Sequence, residues 1–267
     1  MLRLEDHHRL TKEKIEFYRE NGFVQVDNVL AQEELLELRS HLDEVMTTNT
    51  GLSIQTDTKG GAYYRVLNQR VNTWRDHGGM AKFVFNPRFS NLALQLTGSN
   101  GIRLFHDQAL LKMPGDSKPT PWHQDFPYWP MNKEVAEKTI SIWIALDDVD
   151  EHNGCMMFLP KSHKAGQLKP INLAEPEDLF EYAKGTGLDE KKPVIVKMKA
   201  GSCTLHNGLT FHYAFANKTN KSRRAFVIIF MPDGTTYNNK PHALTSDLEL
   251  NKDEQLRGSL FPLLSKQ

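Results

Sequence analysis

The order in which helical and strand patterns follow one another constrains the fold of this chain more than any other feature. The first 100 residues carry mainly helical patterns, such as the leucine spacing of AQEELLELRSHLDEVM (31–46), beside one strand pattern at 22–30. From residue 101 onward, short segments rich in β-branched and aromatic residues alternate with Gly, Pro, Asn and Asp. Helices followed by a run of short strands predict a mainly β fold, a sandwich or barrel braced by N-terminal helices.

The same order divides the 267 residues into three parts of one predicted domain. Residues 1–100 are interpreted as helical support with the first strands, 101–232 as the β core, and 233–267 as a C-terminal extension with little pattern. Sandwich and barrel folds often exceed 200 residues as a single unit, so this length fits one domain. The long polar segment 165–190 is interpreted as an excursion between strands, placed to act as a lid.

Composition narrows the function classes. The 33 basic and 33 acidic residues balance, which is not typical of nucleic-acid binding. Two cysteines, Cys155 and Cys203, are too few for a disulfide framework, and the charged N-terminus has no apolar signal region. No stretch approaches the ~20 apolar residues of a membrane span. These features predict a cytoplasmic protein with a small-molecule substrate and without nucleic-acid or membrane partners.

The motif with the strongest chemical content is His-x-Asp in PWHQDFPYW (121–129). On a strand, His123 and Asp125 would project from the same face and suit one metal ion, with His206 or His212 as a further ligand. Two histidines and a carboxylate form the facial triad of non-haem iron(II) oxygenases, although zinc catalysis also accepts this set. The alternative is a His and an Asp that share a surface turn.

An arginine selects between the two histidines. Arg223 lies eleven residues after His212, whereas the eleventh residue after His206 is Asn217. A hairpin of this length can return an arginine toward the metal, where a guanidinium captures a carboxylate through two hydrogen bonds. The spacing therefore favours His212 as the ligand and a keto-diacid as cosubstrate. His206 is then interpreted as a core histidine or a support for the ligands.

Three segments together carry a family resemblance: WHQD, WIALDDVDEHNGCMMFLPKSHK and HYAFANKTNKSRR. They resemble the phytanoyl-CoA dioxygenase family of iron(II)- and 2-oxoglutarate-dependent oxygenases, from about residue 22 to about residue 234. The resemblance implies a double-stranded β-helix, the cupin-like jelly roll, with N-terminal supporting helices. It also implies the iron ligands His123, Asp125 and His212, with Arg223 binding the distal carboxylate of 2-oxoglutarate.

Further cosubstrate residues follow from the same resemblance. Trp143 matches a position that walls the cosubstrate pocket, and Gln108 and Lys112 match polar pocket residues on one strand face. For Lys112 the alternative is an ordinary lysine whose ammonium reaches solvent. Many relatives carry a serine two residues after the distal histidine, where this chain has Ala214. That departure implies either a different hydroxyl donor or weaker cosubstrate binding.

The predicted reaction is oxidation of a small molecule, by hydroxylation, with Fe(II), 2-oxoglutarate and O2 and with release of succinate and CO2. Retention of the Asp125 carboxylate argues against halogenation. Aromatic residues near the ligands are candidates for the substrate mouth: Phe126, Tyr128, Trp129 and Tyr64. The alternatives are a cupin-like metal-dependent hydrolase or isomerase, which needs no 2-oxoglutarate, and a catalytically silent binding module. Arg223 favours the oxygenase, because a hydrolase has no use for it.

Overall fold

The computed structural model describes residues 9–48, 50–52, 67–115, 118–170, 185, 187–188 and 190–267. The candidate substrate residue Tyr64 lies outside these ranges, and so does most of the predicted excursion at 165–190.

Capping residues set the ends of the N-terminal helices. The Thr11 side chain accepts a hydrogen bond from the Lys14 amide, and Gly22, at φ 84°, ends the first helix in a left-handed conformation. Asn86 caps the fourth helix, and Pro87 occupies its first position, so this pair separates the fourth helix from the third, which ends at Val84. The helices are α1 (Lys12–Asn21), α2 (Gln32–Thr48), α3 (Gly78–Val84) and α4 (Pro87–Thr97).

The strands of the described residues form two antiparallel sheets. The strands are β1 (Phe23–Val26), β2 (Leu67–Val71), β3 (Gly101–Lys112), β4 (Thr120–His123), β5 (Ile140–Ala145), β6 (Met156–Phe158), β7 (Val194–Val196), β8 (Cys203–Asn207), β9 (His212–Ala214), β10 (Arg223–Pro232) and β11 (Leu263–Lys266). The seven-stranded sheet has the order β1-β8-β5-β10-β3-β11, with β2 also paired to β3. The four-stranded sheet has the order β4-β9-β6-β7. This architecture confirms the predicted mainly β jelly roll.

Alternating side chains on β5 separate two hydrophobic cores. Ile140, Ile142 and Ile144 pack with the helix residues behind the larger sheet, among them Leu38 of α2. Trp143 belongs to the second core, on the inner side of that sheet. Because neighbouring residues of a strand point to opposite faces, the isoleucine face holds the helices and leaves the tryptophan face for the interior. The alternation of isoleucine with serine, tryptophan and alanine in ISIWIA (140–145) accounts for this division.

A β-bulge in the pairing of β3 with β10 changes what the larger sheet presents to the interior. The register shifts between Ile229 and Phe230, so that Ile229 pairs with His106 and Phe230 with Leu104. Phe105 is the extra residue and joins the inner core, next to His106. Two adjacent residues of one strand therefore face the same side.

The C-terminal stretch closes the inner core. Its strand β11 pairs with the first residues of β3, and Tyr237, Leu244, Leu256 and Phe261 join the inner core. These residues lack a regular period in the sequence because they lie mainly in turns and single bridges. Across the described ranges, no helix combines the length and apolar character that crossing a bilayer requires.

Candidate active site

A cavity of about 260 Å³ lies between the two sheets and draws its walls from both of them. The smaller sheet contributes His123, His212 and Ala214, and the larger sheet contributes Trp143 and Arg223. The cavity thus brings together strands that are far apart in the chain. Most of the site residues predicted from the sequence line this cavity.

Three predicted metal-binding side chains converge on one wall of this cavity. His123 ends β4 and pairs in register with His212 at the start of β9, so their rings lie 4.1 Å apart between centroids. Asp125 Oδ1 lies 3.5 Å from His123 Nε2 and 3.6 Å from His212 Nε2. One atom from each residue lies within 4.8 Å of the other two, which is close enough to bind one metal ion.

The route by which Asp125 reaches this point differs from the prediction. The strand β4 ends at His123, and Asp125 has helical backbone angles, φ −75° and ψ −46°, at the start of a short 3-10 helix. The expectation that both residues share a strand face is therefore wrong. A turn brings the carboxylate back instead, and the Phe126 amide fixes that turn by donating to the Gly208 carbonyl at 2.9 Å.

The hydrogen bonds of the two histidines fix which nitrogen is free. His123 Nδ1 lies 2.8 Å from the Pro121 carbonyl, and His212 Nδ1 lies 2.9 Å from the Thr210 carbonyl. A carbonyl only accepts, so each ring carries its proton on Nδ1 and directs the Nε2 lone pair toward the Asp125 carboxylate. Two lone pairs and an anion that face one another are mutually repulsive without a cation between them. The donor set therefore fits a divalent metal.

Two side chains contact Oδ2, the second carboxylate oxygen of Asp125. Ser141 Oγ donates to Oδ2 at 3.0 Å, and His206 Nε2 lies 3.2 Å from the same atom. Burial raises the pKa of Asp125, whereas positive charge at the neighbouring histidines, His212 first, would hold that pKa well below its ordinary value; a divalent cation between the rings and the carboxylate would supply this charge while the rings stay neutral. Burial lowers the pKa of His212 itself well below the usual range. The carboxylate is ionised and the ring is neutral, as metal ligands must be.

Arg223 lines the same cavity from the larger sheet. The residue is 3% exposed, and its Nε and Nη1 atoms have no hydrogen-bond partner among the described residues. Its guanidinium carbon lies 5.1 Å from the centre of the Trp143 ring. Burial lowers the pKa of Arg223 to about 10, so the group remains a cation at neutral pH. A buried cation with unused donors fits a carboxylate such as that of 2-oxoglutarate.

The connection between His212 and Arg223 is not the predicted hairpin. The strand β9 belongs to the four-stranded sheet, and β10 belongs to the seven-stranded sheet, where Arg223 pairs with Lys112 of β3. The chain therefore crosses from one sheet to the other between these residues. The arginine faces the metal site across the cavity rather than from the neighbouring strand.

The other predicted cosubstrate residues occupy different positions. Gln108 lines the cavity. Ala214 and its register partner Thr120 line it too. Lys112 is 1% exposed and donates to the Phe215 carbonyl at 2.5 Å, beside Arg223 rather than among the described lining residues. The alternative of a lysine that reaches solvent is wrong, because the ammonium is buried. A contact between Lys112 and the cosubstrate stays a prediction.

The aromatic residues after the ligands separate into two groups. Tyr128 and Trp129 line the cavity. Phe126 is 2% exposed and packs in the inner core without lining this cavity. The 3-10 turn explains the difference, because it rotates successive side chains to different sides instead of alternating them. Tyr64 is outside the described residues.

The structure adds lining residues that the sequence interpretation did not select. His106 precedes Gln108 by two residues on β3, so strand alternation already placed it on the same face. Ser141 shares the face of Trp143 and contacts Asp125. His242 comes from the C-terminal stretch, where no periodic pattern marks it. Only the folding of that stretch against β3 brings this histidine to the cavity.

Comparison with known proteins gives a consistent family assignment. The family model described as phytanoyl-CoA dioxygenase (PhyH) matches residues 18–225, which is most of the chain. The peroxisomal phytanoyl-CoA dioxygenase of Mus musculus is 26% identical over 233 residues, covering 82% of this chain and 68% of the mouse protein.

Solved structures resemble the whole fold. The non-heme alpha ketoglutarate dependent carbocyclase SnoK from nogalamycin biosynthesis has a TM-score of 0.82 and 28% identity, covering 97% of this chain and 98% of SnoK. The epimerase SnoN, solved in complex with Fe3+, alpha ketoglutarate and nogalamycin RO, has a TM-score of 0.78 and 27% identity. That comparison covers 95% of this chain and 98% of SnoN.

Proposed function

The chain belongs to the phytanoyl-CoA dioxygenase family, and from this premise we propose that it oxidises a small molecule at the cavity between its sheets. Family membership makes it an iron(II)- and 2-oxoglutarate-dependent dioxygenase, an oxidoreductase. We assign the iron to His123, Asp125 and His212, and the distal carboxylate of 2-oxoglutarate to Arg223. Iron, 2-oxoglutarate and O2 together supply an oxidant able to attack an unactivated C–H bond, with release of succinate and CO2.

One observation carries this assignment. A cavity wall with two histidine Nε2 atoms and a carboxylate faces a buried guanidinium whose Nε and Nη1 donors have no partner among the described residues. Neither the metal-binding wall nor the guanidinium alone indicates an oxygenase, since metal sites and buried arginines each occur without the other. Their presence in one cavity matches a metal and a carboxylate-bearing cosubstrate bound side by side.

The protein's own groups have separate tasks in this reaction. Ser141 and His206 hold Oδ2 of Asp125, and Oδ1 would remain free to bind the iron. The Pro121 and Thr210 carbonyls fix the ring orientation and tautomer of the two ligand histidines. Trp143 packs against the guanidinium of Arg223 and lines the cavity beside it. Thr120 is the register partner of Ala214 and lines the same cavity, so both positions lie beside the proposed cosubstrate site.

The test uses the visible spectrum before turnover. Addition of 2-oxoglutarate to the anaerobic, Fe(II)-loaded protein should produce a charge-transfer band, and admission of O2 should then produce succinate. Asp125→Ala should abolish both signals. A folded, iron-loaded wild-type protein without the band would refute the assigned cosubstrate site.

The product distinguishes among oxidation outcomes. We propose hydroxylation, supported by retention of Asp125, which keeps the carboxylate ligand in place. Two structural neighbours are named an epimerase and a carbocyclase, so the mass of the product is the deciding measurement. Gain of one oxygen atom supports hydroxylation, an unchanged mass indicates epimerisation, and loss of two hydrogens indicates ring closure or desaturation.

The competing functions make different predictions. A metal-dependent hydrolase or isomerase on the same ligands would work without O2, and family membership argues against it. A silent binding module is expected to have lost a ligand, whereas the three ligands converge. For location we propose the cytoplasm, supported by two free buried cysteines, Cys155 and Cys203. The relatives named peroxisomal give the alternative, which imaging of the tagged protein would test.

A further inference from the structure

The cavity has a second end, remote from Arg223 along the strands of the larger sheet. On β10, Arg223 pairs with Lys112, whereas Ile229, six residues further, pairs with His106. Six residues of a strand span roughly 20 Å. The groups around His106 are therefore too far from Arg223 to bind the same carboxylate, and they remain available for the substrate.

Two histidines at this end present defined hydrogen-bond donors. Gln108 Nε2 lies 3.1 Å from His106 Nε2, and an amide NH2 can only donate, so the His106 proton is on Nδ1. That Nδ1 atom is buried and has no partner among the described residues, although His106 lines the cavity. The Leu244 amide donates to His242 Nδ1 at 3.1 Å, which places the His242 proton on Nε2.

The described residues that line this end of the cavity include no carboxylate, lysine or arginine. Among the described residues that line the whole cavity, Asp125 is the only carboxylate and Arg223 the only lysine or arginine, and the proposed iron and cosubstrate account for both. Burial lowers the pKa of His106 to about 3 and that of His242 to about 4, so both rings are neutral at physiological pH. A charged ligand group here would lose its hydration without gaining a counter-ion.

Aromatic side chains complete the site. Trp129 and Tyr128 line the cavity, and Trp129 and His242 both pack against Phe105, at centroid distances of 5.8 and 5.6 Å. Flat apolar walls with a few fixed donors are typical of sites for ring compounds that bear isolated oxygens. The family name suggests an acyl-CoA, but its phosphates and carboxylates would need cations that the described lining residues do not provide.

We propose that this end binds the substrate as an uncharged ring compound that bears hydroxyl or carbonyl oxygens. One such oxygen accepts a hydrogen bond from His106 Nδ1, and the ring lies against Trp129 and Tyr128. The inference rests on the proposed function, because it takes the Arg223 end to be filled by 2-oxoglutarate. It adds a substrate class and a specificity-determining residue to that function.

The test measures binding by calorimetry to the anaerobic protein loaded with Fe(II) and 2-oxoglutarate. The probes are chrysazin, a neutral dihydroxyanthraquinone, rhein, the same ring system with one added carboxylate, and decanoyl-CoA. Chrysazin should bind at least about tenfold more tightly than rhein and decanoyl-CoA, because the described lining residues at this end offer a buried carboxylate or phosphate no counter-ion. Tighter binding of either anion, or no binding of chrysazin, overturns the inference.

Variants of His106 separate recognition from mere packing. His106→Leu removes the donor and should weaken chrysazin roughly five- to tenfold, the effect of one hydrogen bond. His106→Asn places an amide donor near the Nδ1 position and should restore binding to within about twofold of wild type. His152→Leu, at an exposed residue away from the cavity, is the matched control and should leave binding unchanged. Equal binding by the Leu and Asn variants would overturn the role of His106.

The two proposals fail in different ways. A normal 2-oxoglutarate band together with a preference for anionic probes refutes the substrate class and leaves the oxygenase assignment intact. Absence of the band together with preserved, His106-dependent chrysazin binding refutes the cosubstrate assignment and leaves this binding site intact.

Discussion

Replacement of Arg223 by methionine should separate stability from cosubstrate binding. Arg223 is buried, and its Nε and Nη1 donors are unused within the described protein. A hydrogen bond to a charged group contributes about 1.5–3 kcal/mol, so loss of a two-bond carboxylate contact corresponds to roughly 3 kcal/mol or more. The dissociation constant of 2-oxoglutarate should therefore rise about a hundredfold or more.

The same substitution should not destabilise the ligand-free protein. Burial lowers the pKa of Arg223 to about 10, and a shift of that size corresponds to roughly 3 kcal/mol of desolvation cost for the folded cation. At neutral pH the arginine is charged in both folded and unfolded states, so this cost is present in full. Methionine removes the charge and keeps most of the apolar stem. We expect a free energy of unfolding equal to or above that of wild type.

The neighbouring Arg224 provides a matched control. Its side chain lies on the opposite face of β10, where Nε and Nη2 bind Asp43 at 2.7 and 3.0 Å and Nη1 lies 3.4 Å from Asp147. These partners are partly exposed, so Arg224→Met should lower the free energy of unfolding by up to about 1 kcal/mol. Its affinity for 2-oxoglutarate should remain that of wild type.

The assays are anaerobic titration of the Fe(II) charge-transfer band with 2-oxoglutarate and urea unfolding of the metal-free proteins. The expected pattern is opposite for the two variants: Arg223→Met loses affinity and keeps stability, and Arg224→Met does the reverse. Unchanged 2-oxoglutarate affinity in Arg223→Met would refute the assignment of the guanidinium. A large loss of its stability without ligand would show that Arg223 has a structural partner.

Three further predictions address the remaining groups. Ala214→Ser adds a hydroxyl at a cavity-lining position beside the proposed carboxylate site. Because one hydrogen bond contributes about 1 kcal/mol, the dissociation constant of 2-oxoglutarate should fall about fivefold. Equal dissociation constants for the variant and wild type would contradict this. Ser141→Ala removes the 3.0 Å donor to Asp125 and should weaken iron binding about tenfold in a competitive chelator titration, whereas unchanged affinity would show that His206 suffices. Burial lowers the pKa of His106 to about 3, so between about pH 7 and about pH 5 only the unfolded chain binds a proton at this ring. Acidification from about pH 7 to about pH 5 should therefore lower the free energy of unfolding of wild type by roughly 2 kcal/mol more than that of His106→Asn, measured by urea unfolding. Equal losses in the two proteins would contradict a buried neutral ring.

Features that depend on neighbouring residues were predictable from the sequence. The helix boundary at Asn86 and Pro87, and the isoleucine and tryptophan faces of β5, follow from local conformational preferences and from strand alternation. The spacing of His212 and Arg223 selected two side chains that both line the cavity, although the hairpin expected between them is absent from the described structure. The helix boundary and the two strand faces are predictable because backbone geometry within a few residues fixes the side chains involved.

Only the tertiary structure decided how those stretches meet. A tight turn anchored on Gly208, rather than a strand face, directs Asp125 at the two histidines. Register between distant strands brings Ser141 and His206 to its second oxygen, and the folded C-terminal stretch brings His242 to the cavity. Such contacts depend on which strands pair and where the chain crosses between sheets, and no local preference encodes that choice. The sequence therefore determined the chemical groups and their faces, and the packing of two sheets determined the site that they form.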